Sequence, residues 1–200
     1  MSKYILAGGK DRKFPEYWSA LATEIGSTES ERPLRVLSCF FSQSLSDWNK
    51  KFELFVPHFK IAFGEDAECK LASLDNFLDE LNKCDIVYLH GGTTHMLKGT
   101  LSKYKNIADH FKDKVVVGSS AGANYLSVKG WSPGMREVID GAGIVPLNVI
   151  VHFGSNYGDD DPRGPIDWEK AEQDLRLAIE PNATITRLAE GSFIVVEQWE

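Results

Sequence analysis

The sequence has few of the features that mark membrane, secreted or metal-binding proteins. No apolar run approaches the roughly 18 residues that a membrane-spanning helix needs, and the first apolar stretch is too short for a signal peptide. Only three cysteines occur among the 200 residues, Cys39, Cys69 and Cys84, and their spacing fits neither a zinc site nor a disulfide framework. We therefore expect a cytoplasmic protein that needs no metal and no membrane.

Positive charge is also scarce. Lysine and arginine total 22 against 29 acidic residues, which gives a formal net charge of -7. Phosphate backbones and anionic lipid surfaces select the opposite balance, so nucleic acid is not an expected partner. The phosphate-binding pattern Gly-x-x-x-x-Gly-Lys-Ser/Thr is absent, and nothing else in the sequence indicates an organic cofactor.

The composition is that of an ordinary globular protein, with 42% hydrophobic and 26% charged residues. No repeat, low-complexity tract or linker divides the chain, so we predict one domain over residues 1–200. The oligomeric state does not follow from the sequence, and a homo-oligomer stays open.

Short β-rich runs alternate with longer amphipathic stretches, the pattern of an α/β domain with a mainly parallel sheet. The predicted strands are 4–7, 34–39, 61–63, 86–89, 115–117, 149–152, 184–188 and 193–197. The predicted helices are 14–25, 46–55, 74–83, 95–111 and 167–179. Four residues separate the last two strands, the length of a hairpin connection, and residues 154–165 form the most loop-like stretch.

Residues 115–124, Val-Val-Val-Gly-Ser-Ser-Ala-Gly-Ala-Asn, indicate a buried strand that turns directly into a helix, and they contain the pattern Gly-x-Ser-x-Gly. Such a turn projects the serine hydroxyl above the sheet and needs small residues two positions before and after it. Gly118 and Gly122 meet that need, which makes Ser120 a candidate nucleophile. The same residues could instead form an ordinary strand–helix loop, or bind a phosphate through backbone N–H groups.

A serine nucleophile needs a base to take its proton. His152 closes a predicted core strand and so lies at the carboxyl edge of the sheet, where open α/β folds bind ligands. His90 and His95 flank a Gly-Gly-Thr-Thr turn at 91–94 and stay open on position alone, whereas His58 and His110 have no strand-end position. The turn at 91–94 could add a second oxyanion donor to the N–H of Ala121 at the helix start.

In this order, the motifs resemble those of peptidase family S51, which includes aspartyl dipeptidase (peptidase E) and, more distantly, cyanophycinase. Residues 91–94 are similar to the family's Gly-Gly-Asn-Thr turn, 118–124 to its Ser-Ala-Gly-Ala-Asn elbow, and 151–153 to its Pro-His-Phe strand end. Residues 188–193, Leu-Ala-Glu-Gly-Ser-Phe, are similar to its Leu-Pro-Glu-Gly-Asn-Trp segment.

The resemblance implies a flavodoxin-like, or class I glutamine amidotransferase-like, three-layer α/β sandwich. It also implies a triad of Ser120 as nucleophile, His152 as base and Glu190 as the carboxylate that orients the base, with Gly92 and Ala121 as oxyanion donors. Asp140 is the second candidate for the carboxylate, because some descriptions of the family place an aspartate between the serine and the histidine.

The sequence also departs from the family. Aspartyl dipeptidase selects an amino-terminal aspartate through an arginine downstream of its histidine, and no arginine of this sequence matches that position. Arg163 is the one arginine in that stretch, and it follows Asp159, Asp160 and Asp161. A triple carboxylate near the site would repel an acidic side chain and attract an amino group. It could equally be a solvated acidic loop.

These observations predict a serine-type peptidase that hydrolyses short peptides without preferring an amino-terminal aspartate. Two alternatives stay open. An esterase or another acyl hydrolase would use the same residues, and a binding module of the same fold would hold an anion at the glycine turns. A glutamine amidotransferase would carry cysteine at the elbow, and Ser120 argues against it.

Overall fold

The computed structural model describes residues 2–25 and 32–198, and the larger of its two sheets has six strands. In spatial order these are β10 (Phe193–Gln198), β1 (Ser2–Ala7), β5 (Val115–Ser119), β4 (Ile86–Leu89), β2 (Arg35–Cys39) and β3 (Glu68–Leu71). All neighbours are parallel except β1 and β10. The carboxyl ends of β1, β4 and β5 therefore meet at one edge.

Six α-helices accompany the sheets in the described part of the chain. They are α1 (Pro15–Ile25), α2 (Trp48–Phe63), α3 (Phe77–Lys83), α4 (Thr94–Leu101), α5 (Ala121–Leu126) and α6 (Trp168–Ala178). Asp167 caps α6, its side chain accepting a hydrogen bond from the N–H of Lys170 at 2.9 Å. None of these helices is long and apolar enough to cross a membrane.

The central strands are buried on both faces, and successive residues contribute to different cores. Ile5 packs in a cluster with Trp18 of α1 and Phe59 of α2, whereas Leu6 packs in a cluster with Leu97 of α4. This alternation follows from the two-residue period of a strand. Helices thus cover both faces of a mainly parallel sheet, and the predicted flavodoxin-like α/β class is confirmed.

A smaller four-stranded sheet contributes the rest of the site. Its order is β7 (Glu137–Asp140), β6 (Lys129–Ser132), β8 (Asn148–Val151) and β9 (Ile185–Leu188). Val149 and Val151 belong to the same core cluster as Leu6 of the larger sheet, while Ile150 packs towards α6. The smaller sheet is therefore joined to the larger one through buried side chains.

The prediction of a strand at 61–63 is wrong, because these residues form the end of α2. The helix predicted at 46–55 continues through Pro57 in the structure, although a proline inside a helix removes one hydrogen bond and costs about 3 kcal/mol. Phe59 and Phe63 are buried, with ring centroids 5.8 Å apart. Burying each such side chain contributes roughly 1.5–3 kcal/mol, which offsets the proline.

Other boundaries also differ from the sequence pattern. Strands 184–188 and 193–197 do not form a hairpin, because β9 pairs with β8 in the smaller sheet and β10 pairs with β1 in the larger. The predicted helix 95–111 is α4 followed by a separate 3₁₀ turn, Ile107–Phe111, which begins after Asn106 at φ 52°. The short strands β3, β6 and β7 were not predicted.

Candidate active site

The turn between β5 and α5 has the geometry that the glycine pattern predicted. Ser120 has φ 52° and ψ −106°, a strained conformation for a residue with a side chain. A Cβ on Gly118 would lie 2.7 Å from the carbonyl of Gly122, and one on Gly122 would lie 2.2 Å from the carbonyl oxygen of Leu89. The packing around the elbow therefore requires both glycines.

Ser120, His152 and Glu190 form a continuous chain of hydrogen bonds. Ser120 Oγ lies 2.9 Å from His152 Nε2, and His152 Nδ1 lies 2.8 Å from Glu190 Oε1. An ionised carboxylate can only accept, so Nδ1 carries the proton and Nε2 is free to accept from the serine. Both side chains behind the serine are shielded, with 6% of His152 and 10% of Glu190 exposed. The arrangement can activate a hydroxyl.

Three consecutive carbonyls at the end of β1 hold these residues together. Ala7 accepts from the N–H of Ser120 at 2.9 Å and Gly8 from that of His152 at 3.0 Å, while Gly9 accepts from the N–H of Gly191, beside Glu190, at 3.1 Å. We call residues 7–10, which end at Lys10, the β1 end segment. This segment was not predicted from the sequence to be part of the site.

Gly9 lies directly against the imidazole of His152. Its φ is +106°, and a Cβ at this position would be 2.4 Å from His152 Cε1 and 3.1 Å from Ser120 Cβ. Both the backbone conformation and the close approach exclude a side chain there. The sequence signal was present as a glycine pair directly after a predicted strand, but a glycine pair alone does not reveal its neighbours.

The surroundings of the imidazole shift the pKa of His152 in opposite directions. Burial lowers the pKa of His152, Glu190 acts to raise it, Lys10 acts to lower it, and the net result lies below 6.5. Burial acts to raise the pKa of Glu190, but hydrogen bonds from Lys10 and His152 outweigh it and keep that pKa below 4.5. Near neutral pH the base is therefore neutral and its partner is an anion.

Gly92 and Ala121, the predicted oxyanion donors, line one cavity together with Ser120. The cavity has a volume of about 340 Å³ and also contains Asn124 and Met135. Ala121 is the first residue of α5, so its N–H has no acceptor within the helix. The turn of Gly92 is held by Ser42, whose carbonyl accepts from the N–H of Thr93 at 2.8 Å.

A second cavity of about 320 Å³ also borders Ser120 and His152. Its wall carries Lys10, Arg12 and Lys13, which makes this side cationic. Asp11 lines the same cavity but is buried, and burial raises the pKa of its carboxyl group above 3.8. The structure thus places basic side chains, rather than the acidic loop, beside the serine.

Asp11 also begins a buried hydrogen-bond network that the sequence did not indicate. Its Oδ2 accepts from the hydroxyl of Tyr88 at 2.6 Å, and the hydroxyls of Tyr88 and Tyr17 are 3.0 Å apart. Trp18 donates its indole N–H to the carbonyl of Asp11 at 3.1 Å. These bonds fasten the residues after the β1 end segment to α1 and β4.

The acidic residues at 159–161 line neither of these two cavities. Asp161 makes a two-pronged contact with Arg163, at 2.8 Å to Nε and 2.6 Å to Nη2. The same guanidinium donates to the carbonyl of Gly134 at 2.9 Å. Arg163 is therefore engaged by the protein itself, while Asp159 and Asp160 are exposed.

Asp140, the second candidate for the orienting carboxylate, lies at the end of β7 with 67% of its side chain exposed. It forms an ion pair with Lys129. Glu190 is the carboxylate that contacts His152 in the structure.

The remaining histidines do not contact Ser120. His90 is buried, with Nε2 2.8 Å from Ser38 Oγ, and it stacks on Phe40 at a centroid distance of 3.8 Å. His95 is exposed on α4, and His58 stacks on Trp18. His110 Nδ1 is 2.8 Å from Asn82 Oδ1. Within residues 2–25 and 32–198, no group of three potential metal ligands occurs.

The fold and the site define an α/β protein with a serine elbow at the carboxyl edge of its main sheet. No protein-family model matches the sequence, and no curated protein matches it. Solved structures do match. A peptidase from an acI-B1 Actinobacterium aligns with 98% of this chain and 83% of its own, with a TM-score of 0.68 and 19% identity.

A second similar structure comes from Listeria monocytogenes EGD-e and carries a provisional peptidase E name. The alignment covers 100% of both chains, with a TM-score of 0.63 and 14% identity. At these identities the likeness establishes a shared fold.

Proposed function

We propose that the protein is a serine-type peptidase of the S51 kind that hydrolyses short peptides. The observation that carries the proposal is the unbroken hydrogen-bond chain from Ser120 through His152 to Glu190. It starts on a strained strand–helix turn, a conformation that costs of order 1–3 kcal/mol and is found where the strain serves a function. The peptidase names of the two structural neighbours agree with this reading.

In the proposed mechanism, Ser120 Oγ attacks the peptide carbonyl while His152 Nε2 takes its proton. The carbonyl oxygen becomes an oxyanion, which the N–H groups of Gly92 and Ala121 stabilise. Glu190 stabilises the imidazolium that forms. His152 then gives the proton to the departing amine, and an acyl ester on Ser120 remains. Water, activated by His152, releases the acid and restores the serine.

The decisive experiment compares wild type with Ser120→Ala on a panel of dipeptides and tripeptides. Hydrolysis should fall by at least about 10³-fold in the variant, because the covalent route is lost. A fluorophosphonate should label wild type at Ser120 and leave the variant unmodified. Equal turnover in the two proteins would remove Ser120 from the mechanism.

The same assays separate the alternatives. Faster turnover of esters, with little peptide hydrolysis, would make the protein an esterase on the same residues. Absence of labelling, together with thermal stabilisation by phosphate or a nucleotide, would indicate an anion-binding module.

The pH dependence tests the base. Since the pKa of His152 lies below 6.5, the imidazole stays neutral on mild acidification, and kcat/KM should fall only at lower pH. A kcat/KM that stays flat down to the pH at which the protein unfolds would contradict His152 as general base, and an acid limb with its midpoint above about 6.5 would contradict the lowered pKa.

We also propose that an amino-terminal aspartate is not preferred. The support is that Arg163, the one arginine downstream of His152 and before α6, is engaged by Asp161 and by the carbonyl of Gly134. Asp-Leu should therefore be hydrolysed no faster than Leu-Leu. A strong preference for Asp-Leu would show that cations elsewhere, such as Arg12 and Lys13 in the second cavity, select the substrate.

The mechanism uses no metal or organic cofactor. Cys39, Cys69 and Cys84 are free thiols, in keeping with a reducing compartment, and we propose the cytoplasm as the place of action.

A further inference from the structure

One oxygen of Glu190 has three polar partners, two through hydrogen bonds and one through an ion pair. Oε1 lies 2.8 Å from His152 Nδ1, 2.9 Å from the ammonium of Lys10 and 3.1 Å from the hydroxyl of Ser155. A serine–histidine–carboxylate relay needs only the first of these contacts. The ion pair with Lys10 is therefore an addition that the proposed reaction does not explain.

The backbone of Lys10 is held beside the turn that carries Glu190. Lys10 ends the β1 end segment with φ 55°, and its carbonyl accepts from the N–H of Lys13 at 2.8 Å. The preceding residue, Gly9, accepts from Gly191 on the turn that carries Glu190. Only 27% of the Lys10 side chain is exposed, and its ammonium lies 5.7 Å from the ring centroid of Tyr157. A long side chain so confined loses little further freedom when it binds a carboxylate.

We propose that Lys10 is a positioning residue of the site: its ammonium holds Glu190 in line with His152 Nδ1 and opposes protonation of the imidazole. This inference rests on the proposed function. It assigns a role to a side chain that the peptide does not need to touch, at a position that the family-like motifs do not include.

The charges facing His152 show why such a residue is useful. Glu190 approaches from the turn between β9 and β10, Lys10 from the β1 end segment, and Tyr157, with its ring centroid 4.3 Å from that of the imidazole, from the loop after β8. Burial of the ring opposes protonation of His152, whereas the Glu190 carboxylate favours the imidazolium. The ammonium offsets part of that effect without breaking the hydrogen bond to Nδ1.

The alternative role for Lys10 is substrate binding, because it also lines the cationic cavity with Arg12 and Lys13. The two roles predict different measurements. A residue that only binds substrate changes KM, whereas a residue that acts through Glu190 changes kcat and the titration of His152.

The test compares Lys10→Met, Lys10→Arg and the matched control Lys13→Met. Lys13 lines the same cavity and has no ion pair within the described residues. Two readouts are needed, namely the pH profile of kcat/KM and the NMR titration of the His152 ring, assigned with His152→Gln. The titration does not depend on activity, so it decides the role of Lys10 even if Ser120→Ala shows that the protein is not a peptidase.

We expect both the acid limb and the His152 titration of Lys10→Met to move to higher pH. kcat should fall severalfold near pH 6, up to the roughly tenfold loss of neutral base that a pKa shift of about one unit can cause, and less at pH 8. Lys10→Arg should restore most of the wild-type behaviour. Lys13→Met can change KM, because Lys13 lines the same cavity, but it should leave the titration of His152 where it is in wild type. An unchanged titration in Lys10→Met, or a change in KM alone, would overturn the inference.

Discussion

The variant Glu190→Gln tests how much of the chemistry depends on a negative charge behind the base. The substitution keeps the size of the side chain and an acceptor oxygen, but it removes the charge that faces His152 Nδ1 at 2.8 Å. In the proposed mechanism, the imidazolium that forms during attack then loses its counter-ion. The ground state, in which the imidazole is neutral, loses much less.

The structure gives the size of the effect. Coulomb's law at an effective dielectric constant of about 20 yields roughly 6 kcal/mol for unit charges at the His152–Glu190 separation. A neutral hydrogen bond to the glutamine oxygen retains roughly 1 kcal/mol, and rearrangement of the site recovers some more. We therefore expect a loss of about 4 kcal/mol in transition-state stabilisation, or about 10³-fold in kcat.

The assay is steady-state peptide hydrolysis across pH, with the rate of fluorophosphonate labelling at Ser120 as a second readout. Because Glu190 acts to raise the pKa of His152, the acid limb of Glu190→Gln should move to lower pH, opposite to the shift expected for Lys10→Met. Glu180→Gln, on an exposed loop residue before β9, is the matched control. A kcat within tenfold of wild type would refute the reasoning.

Three further substitutions test the frame of the site and the stability of the fold. Gly9→Ala should reduce kcat by about 100-fold, because its Cβ would displace the His152 ring. The loss is measured by peptide hydrolysis, with circular dichroism as the check that the variant is folded. Gly99→Ala, at an exposed helical position with nothing within 4 Å of the added Cβ, should raise the free energy of unfolding by about 0.5–1 kcal/mol in urea denaturation; a lower value would contradict the packing around α4. The pKa of buried His90 lies well below 6.5, chiefly through burial, so on acidification the unfolded chain binds a proton at this histidine before the folded protein does. The free energy of unfolding should therefore fall as pH drops below about 6.5, with a slope of up to roughly 1.4 kcal/mol per pH unit. The slope should be smaller in His90→Gln, and an equal slope would assign the effect to other groups.

The chain of Ser120, His152 and Glu190 could be anticipated because each residue belongs to a local pattern at a strand end or a turn. Strand ends of a parallel sheet converge, so local patterns suffice to bring such residues together. The family resemblance supplied Glu190, which without it would have been a solvated turn residue. The structure brings the three side chains together in the predicted order.

Gly9 and Lys10 could not be anticipated in the same way. Their importance depends on which backbone groups pair across the molecule, and no local pattern encodes the contact of Gly9 with the His152 ring or of Lys10 with Glu190. The acidic loop illustrates the same limit, because the sequence left open whether the loop faces the site. In the structure Asp161 binds Arg163, Asp159 and Asp160 are exposed, and none of the three lines either cavity beside the serine.

The position of Glu190 on a turn that leaves one sheet and enters the other has a thermodynamic consequence. β9 belongs to the smaller sheet and β10 to the larger, while His152 ends β8 and Ser120 follows β5. A separation of the sheets by an ångström or two would break the relay and leave each ladder of strands intact. Activity therefore depends on how closely the two sheets are packed against each other. By linkage, a ligand that binds across Ser120 and His152 stabilises the state in which the two sheets are packed together. Such a ligand should therefore protect the amides of the smaller sheet from hydrogen exchange.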